Sequence, residues 1–252
     1  MSWLVSFVSM ITTFLLYTGL TSGQGYGGYG SSFAQSCSTA CSVSYPPVNA
    51  SDCFMLLIDY QSGTLYFVRN VPRAQVLGNM KYLALLAKIL NIPTVMTTSL
   101  EDQFDGPVVT DLQQILPDSY ASRIPRHGTI NPWEEPAFKA AAIKAAGGRK
   151  TAIIAGLTND VCVVNPAISI KQDGFNVIAV QDASGSPNAQ ADENARRRWE
   201  MAGVRTFTTT ALLTEMAHDW NNPDGAKVLQ QLVIDQYLPS FNTTYPFQAG
   251  IN

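Results

Sequence analysis

The chain has 252 residues, enough for one domain of ordinary size with its own hydrophobic core. Only 14% of the residues are charged, and the formal net charge is −3. This composition provides neither the positively charged surface that nucleic-acid binding needs nor an acidic tail. Function is therefore expected in a local site.

The first segment, residues 1–23, is predicted to be a signal peptide. Residues 3–20 are mostly apolar, and small residues follow at 21–23. A membrane anchor needs about 20 apolar residues, so an uncleaved anchor is the alternative. We expect a secreted, extracellular protein that has no membrane association once the leader is removed.

Residues 24–50 are predicted to be a glycine-rich linker followed by an entry segment that contains cysteine. Glycine, tyrosine and serine dominate the first part, which cannot bury a core. In a secreted chain, two of three cysteines could pair, and the pairing is open: Cys37, Cys41 and Cys53. Asn49 and Asn242 begin tripeptides of the form that accepts N-linked glycans, as expected of a secreted glycoprotein.

From residue 51 onward, short apolar runs alternate with longer stretches of helical periodicity. The apolar runs are predicted as strands at 53–60, 92–98, 150–157, 176–184 and 204–209. The intervening stretches are predicted as helices at 73–90, 110–116, 135–148, 167–172, 188–203 and 211–220. This alternation predicts one α/β domain over 51–252, with a doubly wound, Rossmann-like parallel sheet and helices on both faces.

Polar residues follow two of the predicted strands, where sites in such sheets lie. The first strand reaches Asp59, and the strand that ends at Leu157 is followed closely by Cys162. Residues 158–160 are good helix N-caps, which would place Cys162 in the first turn of a helix. Free N–H groups and the helix dipole there would lower the pKa of the thiol and favour the nucleophilic thiolate. The alternative is that Cys162 is a small core residue.

Other catalytic chemistries have weaker signals in this sequence. The two histidines, His127 and His218, lack the spacing of metal ligands, so no metal or other cofactor is expected. Ser184 lacks the leading glycine of a nucleophile elbow, and no glycine-rich phosphate loop follows a strand. His127 could serve Cys162 as a base, or it could be a histidine on a surface loop.

Six segments within residues 51–237 resemble, in order, the isochorismatase-like cysteine hydrolases, especially the YcaC-related branch. They are LLIDYQSG, IPTVMTTS, IPRHGTINPWE, AGLTNDVCVVNPAIS, GFNVIAVQDASGS and EMAHDW. The family has an Asp-Lys-Cys triad, and Asp59 and Cys162 match its first and last members. The lysine position falls on Arg126, as in YcaC-related members, with Arg123 as the next candidate. Arginine stays charged and so cannot transfer a proton.

The resemblance implies a mechanism for a small-molecule substrate. Asp59 would take the thiol proton, Arg126 would keep Asp59 charged, and Cys162 would attack an amide or ester-like carbonyl to form a thioester. The backbone N–H groups of Val161 and Cys162 would form an oxyanion hole. The family also has a cis peptide bond in this corner, which matches Leu157–Thr158.

Two further residues are candidates for binding the substrate. Gln61 would point into the same cleft as Asp59 if the strand extends that far. Some relatives bind zinc through a histidine near this point, and the glutamine here implies no metal. Trp133 could form a wall of the pocket or pack against a neighbouring subunit.

The resemblance also implies a homo-oligomer, for which the apolar stripe at 228–238 offers a surface. Three functions other than amide hydrolysis stay open at this point. They are hydrolysis of an isochorismate-like vinyl ether, a secreted binding protein that has lost activity, and thiol redox chemistry. A redox protein would need a second cysteine near Cys162, and CxxC is absent from the sequence.

Overall fold

A computed structural model of the chain describes residues 47–221 and 226–230. Six parallel strands form one sheet in the order β3-β2-β1-β4-β5-β6, which is the doubly wound arrangement. The strands are β1 Cys53–Ile58, β2 Thr94–Ser99, β3 Ile124–Arg126, β4 Thr151–Gly156, β5 Asn176–Val180 and β6 Arg205–Phe207. The predicted fold class is confirmed, and β3 is a strand that the sequence pattern did not predict.

Seven α-helices accompany the strands in the described part of the chain. They are α1 Arg73–Ile89, α2 Thr110–Ile115, α3 Pro117–Ala121, α4 Pro136–Ala146, α5 Val164–Gln172, α6 Ala189–Met201 and α7 Thr209–Ala217. The predicted helix at 110–116 is found as α2, and Pro117 then begins α3 at a position where proline is tolerated because its missing N–H has no helical partner. None of the described helices is both long and apolar enough to cross a membrane.

The sheet is covered on both faces because its strands are apolar throughout and their side chains alternate in direction. On one face, residues of β1 such as Met55 and Leu57 pack with α1 and α7. On the other face, Phe54 and Leu56 pack with α4, α5 and α6. All six residues of β1 and all six of β4 are buried.

The strand order reverses between the two central strands, β1 and β4, and in open α/β sheets the crevice that binds ligands lies at the carboxyl ends of such strands. Gly156 ends β4 opposite Ile58, and a Cβ atom there would lie 2.2 Å from the Ile58 carbonyl oxygen. Only glycine fits this approach. Ser184 braces the same point, since its hydroxyl oxygen accepts from Gly156 N at 3.0 Å and donates to Val180 O at 3.1 Å.

Cys53 is a free, fully buried thiol at the start of β1. Burial, with a contribution from the charge of Asp52, raises its pKa to about 12. The expected disulfide therefore does not involve Cys53, and its remaining candidates, Cys37 and Cys41, lie outside the described residues.

Several sequence-based predictions fall on residues that the structure does not describe or only partly describes. The leader 1–23, most of the segment 24–50, and Asn242 lie outside the described residues. Asn49 is exposed, and its side chain caps a short turn by accepting from Ser51 N at 3.0 Å. Of the apolar stripe, residues 228 and 229 are buried in the core of the same chain, which leaves 231–238 outside the described residues.

Candidate active site

Asp59 follows β1 directly and turns the chain at the crevice. Its φ of 52° lies in the left-handed region, which aspartate tolerates better than most residues. The turn is held by two hydrogen bonds, from Asp59 N to Thr97 O at 3.0 Å and from Thr64 Oγ1 to Asp59 O at 2.6 Å. The side chain is fully buried. A carboxylate is therefore fixed at the carboxyl end of the central strand.

Arg126 ends β3 and pairs with Asp59 through a hydrogen bond from Nη2 to Oδ2. Its other nitrogens are also bound. Nε donates to Thr97 Oγ1 at 3.1 Å, and Nη1 donates to the carbonyl oxygens of Thr129 at 2.5 Å and Ile130 at 3.3 Å. These contacts hold the guanidinium in one orientation beside the carboxylate.

The structure distinguishes Arg126 from the two neighbouring candidates. Arg123 forms a two-point ion pair with Glu101, with both nitrogen–oxygen distances at 3.0 Å. The side chain of His127 is exposed on the loop after β3. Arg126 is thus the basic residue of this loop that reaches Asp59.

Cys162 is a free thiol, partly exposed, in the turn that follows β4. The peptide bond between Leu157 and Thr158 is cis. Cys162 lies in a π-helical turn, Asn159–Val163, that precedes α5, whereas the sequence placed it in the first turn of an α-helix. Its thiol and the Asp59 carboxylate are near enough for each to shift the pKa of the other.

The charges of Asp59, Arg126 and Cys162 affect the protonation of the carboxyl and thiol groups. Burial raises the pKa of Asp59, and the ion pair with Arg126 opposes this rise. Burial also raises the pKa of Cys162, and the negative charge of Asp59 raises it further against the opposing charge of Arg126. The expected lowering of the thiol pKa is therefore wrong, because loss of solvent and the adjacent carboxylate outweigh the guanidinium and the Thr158 N–H.

The resting site therefore contains a protonated thiol beside the Asp59–Arg126 pair. Oδ2 of Asp59 is occupied by Arg126, whereas Oδ1 has no partner of ordinary hydrogen-bond geometry among the described residues. A carboxylate oxygen with this freedom can accept the proton of Cys162.

The turn that carries Cys162 is fixed by a hydrogen-bond network that no local sequence pattern predicted. Asn159 is fully buried, its N–H donates to Gly185 O at 2.8 Å, and its Nδ2 donates to Asp192 Oδ1 at 2.7 Å. Asp192, on α6, also accepts from Gln181 Nε2 at 2.6 Å and from Ser186 Oγ at 2.9 Å. One carboxylate thus ties the turn that carries Cys162 to the segment after β5.

The expected oxyanion hole is partly occupied in the resting structure. The Val161 N–H donates to Thr158 O at 3.3 Å, so it could reach a substrate oxygen only by leaving this bond. The backbone of Thr158 lowers the pKa of the Cys162 thiol, against the larger effect of burial. One of the two predicted donors, the Val161 N–H, is therefore engaged within the turn in this structure.

Gln61 has a structural role in place of the predicted contact with substrate. It is fully buried, and its Nε2 donates to Ser99 O at 2.8 Å and to Gly106 O at 2.6 Å. Its Oε1 accepts from Ser99 N at 2.8 Å. All of its polar atoms join the loops after β1 and β2, which leaves none for a substrate.

Trp133 also differs from expectation. Its side chain is 4% exposed and packs in the core on the α4 and α5 side. Nε1 donates to Asp173 Oδ2 at 2.8 Å, and the ring meets Phe175 edge-on at 6.4 Å. Its indole ring therefore packs and forms hydrogen bonds within this chain.

No group of three or more His, Cys, Asp or Glu side chains that could hold a metal ion occurs within residues 47–221 and 226–230. The fold and site together define a doubly wound α/β protein with a carboxylate, a guanidinium and a free thiol at its switch point. The isochorismatase domain profile matches residues 53–211. The chain belongs to the isochorismatase family of hydrolases.

Similar proteins include two bacterial YcaC proteins. The probable hydrolase YcaC of Escherichia coli is 38% identical over 178 residues, which are 71% of this chain and 84% of the relative. Its crystal structure, described as an octameric hydrolase of unknown specificity, has a TM-score of 0.72 and covers 79% of this chain and 95% of that one. YcaC from Pseudomonas aeruginosa, solved with hexane-2,5-diol and covalent acrylamide, is 34% identical, with a TM-score of 0.73 and coverage of 80% and 100%.

A more distant relative comes from an oomycete. The secreted isochorismatase effector Isc1 of Phytophthora sojae is 24% identical over 151 residues, which are 55% of this chain and 65% of the relative.

Proposed function

We propose that this hydrolase cleaves the C–N bond of a small amide, with Cys162 as the nucleophile and Asp59 as the general base. The proposal rests on one observation, which is that the two carboxylate oxygens of Asp59 have different contacts. Oδ2 is held by Arg126, while Oδ1 has no other close partner among the described residues and the carboxylate interacts with the Cys162 thiol. Base and nucleophile are thus paired, and a third group orients the base, as in other activated nucleophiles.

The first half-reaction forms an acyl-enzyme. Asp59 accepts the S–H proton of Cys162 as the sulfur bonds to the carbonyl carbon, and the carbonyl electron pair moves onto oxygen. When that pair returns, the C–N bond breaks, and Asp59 gives its proton to the leaving nitrogen. The products of this step are a free amine or ammonia and a thioester on Cys162.

The second half-reaction regenerates the thiol. Asp59 accepts a proton from water as the water oxygen attacks the thioester carbonyl. Collapse of the tetrahedral intermediate breaks the C–S bond, and the sulfur takes the proton back from Asp59. The released product is a carboxylic acid, and Arg126 keeps its charge throughout because guanidinium does not deprotonate in proteins.

The raised pKa values of Asp59 and Cys162 suit this exchange. Proton transfer moves one negative charge from the carboxylate to the adjacent sulfur, so the total charge beside Arg126 stays constant. The guanidinium therefore stabilises the site in both states, and little rearrangement of buried charge is required. A backbone N–H in the turn before α5 would stabilise the oxyanion, with Val161 N–H exchanging its bond to Thr158 O.

The relatives support the proposal in two respects. The P. aeruginosa protein is solved with covalent acrylamide, a compound that joins a thiol-reactive double bond to a primary amide. The E. coli protein is described as octameric, which supports a homo-oligomer for this chain.

The test is a substrate screen of small primary amides and isochorismate with the wild-type protein and Cys162→Ala. We expect amide turnover in the wild type and its loss in the variant, with a mass increase on Cys162 trapped during turnover. Turnover of isochorismate alone, at equal rates in both proteins, would contradict the proposal and indicate vinyl ether hydrolysis that does not use the thiol.

A further inference from the structure

A cavity of about 580 Å³ is bordered by the loop after β3 and by the helices α5 and α6, and the mechanism above does not use it. Two of the residues that line it carry opposite charges, Glu134 in the loop and Arg198 on α6. Two apolar residues, Ile130 and Ile168, line it as well. The cavity therefore combines a cation, an anion and an apolar surface.

The two charges do not pair with each other. Neither Glu134 nor Arg198 lies within 4 Å of an oppositely charged group among the described residues. Opposite charges that line one cavity attract each other, so other contacts must keep these two groups apart.

The guanidinium of Arg198 is held by helix α5. Its Nη2 donates to Asn165 Oδ1 at 2.9 Å, and Asn165 Nδ2 donates in turn to Val161 O at 2.9 Å. Asn165 thus links Arg198 to the turn that carries Cys162. A guanidinium has five N–H donors, so the bond to Asn165 leaves donors for a carboxylate in the cavity.

The carboxylate of Glu134 is held by Asn131, which is 8% exposed and also lines the cavity. Asn131 Nδ2 donates to Glu134 Oε1 at 3.1 Å and to Ser169 Oγ at 3.1 Å. Asn131 Oδ1 accepts from Trp133 N at 3.1 Å, which fixes the orientation of the amide. An ionised carboxylate accepts about four hydrogen bonds, so Glu134 keeps the capacity to bind an ammonium group.

The two supports lie one turn apart on the same helix. Asn165 contacts Arg198, and Ser169 belongs to the group that holds Glu134. Residues four apart on a helix have Cβ atoms about 5–6 Å from each other. A ligand with a single charge would match one end of the cavity and leave the other end without a counter-charge.

We propose that this cavity binds a small zwitterion, a short amino acid whose carboxylate pairs with Arg198 and whose ammonium group pairs with Glu134. The carbon chain between the two charges would lie against Ile130 and Ile168. This proposal does not rest on the role of Cys162 as a nucleophile, because binding is measured without turnover.

The experiment compares three ligands of similar chain length, γ-aminobutyrate, butyrate and butylamine. The first carries both charges, and each of the others lacks one of them. Dissociation constants are measured on the full chain by saturation-transfer NMR titrations at neutral pH. Low ionic strength is used because salt screens pairs of partly exposed charges.

We expect the wild type to bind γ-aminobutyrate at least about threefold more tightly than either ligand with one charge, as for a partly exposed ion pair. Arg198→Gln should reduce its affinity to about that of butylamine, and Glu134→Gln should reduce it to about that of butyrate. Arg197→Gln is the matched control, because Arg197 is exposed on the same helix, pairs with Glu193 and does not line the cavity.

The proposal is overturned if the wild type binds the three ligands equally or binds none of them. It is also overturned if Arg198→Gln and Arg197→Gln have equal effects on γ-aminobutyrate. The comparison among ligands needs only the wild type, so it stands even if a variant fails to fold. Circular dichroism of each variant shows whether its dissociation constants belong to folded protein.

Discussion

Arg126 and Asp59 lie 67 positions apart in the sequence and form an ion pair in which both side chains are fully buried. The pair joins the ends of β3 and β1, which are separated in the sheet by β2. Burying two charges is favourable only when each is matched by the other and by further hydrogen bonds, which Thr97 supplies to Arg126. Removing one partner is therefore expected to cost far more than an exposed ion pair would.

Arg126→Ala should lower the free energy of unfolding by about 3–5 kcal/mol at neutral pH, because it leaves Asp59 buried without a cation. The loss should shrink at acidic pH, since the isolated, buried Asp59 has a raised pKa and becomes neutral as the pH falls through it. Denaturant titrations at several pH values measure this.

Arg123→Ala is the control, since its ion pair with Glu101 is partly exposed and should contribute only about 1 kcal/mol to stability. Equal effects of Arg126→Ala and Arg123→Ala on stability would contradict the buried ion pair.

Arg126→Lys should retain much of the activity, since it preserves the charge beside Asp59.

The thiol of Cys162 should titrate above the ordinary range of about 8.5 for cysteine. Burial raises its pKa, and the charge of Asp59 adds to this effect. Asp59→Asn removes that charge, so the midpoint of the alkylation profile should move to lower pH although turnover falls. Arg126→Ala should move the midpoint upward, because Arg126 lowers the thiol pKa.

Alkylation by iodoacetamide across pH, with peptide mapping to separate Cys162 from Cys53, provides the measurement. A wild-type midpoint well below that of free cysteine would show that the thiolate is stabilised at rest. Asp59 would then not be needed to remove its proton.

The alternation of apolar runs and helical stretches was enough to predict a doubly wound sheet, because each strand of such a sheet is buried on both faces. Asp59 and Cys162 could be found because both follow long, clearly apolar strands. Arg126 needed the resemblance, since β3 has only three residues and one of them, Pro125, is unusual in strands.

The supporting residues could not be predicted from local patterns. Gln61 follows Asp59 in a way that suggests a cleft position, yet its amide matches backbone groups of Ser99 and Gly106 that only the folded loops bring together. Asp192 lies on a helix, where acidic residues are ordinary. Its role depends on contacts between distant parts of the chain.

The leader should be removed when the full chain passes through a secretory pathway. Residues 3–20 are mostly apolar and small residues follow, so the mature chain should begin near Gly23 and appear in the medium. N-terminal sequencing of the secreted protein measures this. A chain that lacks residues 1–23 is the control, and it should stay inside the cell. A full-length chain found in membranes after a high-salt wash would indicate an anchor.

The chain should also assemble, as the E. coli relative described as an octamer does. Light scattering of the chain without residues 1–23 should give a mass several times that of one chain at micromolar concentration. Truncation after residue 230 tests whether the stripe at 231–238 contributes, since residues 228 and 229 already pack within the same chain. A monomer mass for the chain that keeps the residues after 230 would contradict assembly.

Asp192 should stabilise the turn that carries Cys162, because it accepts hydrogen bonds from Asn159, Gln181 and Ser186. Asp192→Ala leaves these donors without their acceptor and should cost about 2 kcal/mol or more in unfolding free energy. It should also slow alkylation of Cys162 and turnover together, as the turn loses its fixed position. Glu193→Ala is the control, since Glu193 lies beside it on α6 and bonds only to exposed arginines. If Asp192→Ala lowers stability but leaves both rates unchanged, Asp192 supports the fold and does not position the thiol.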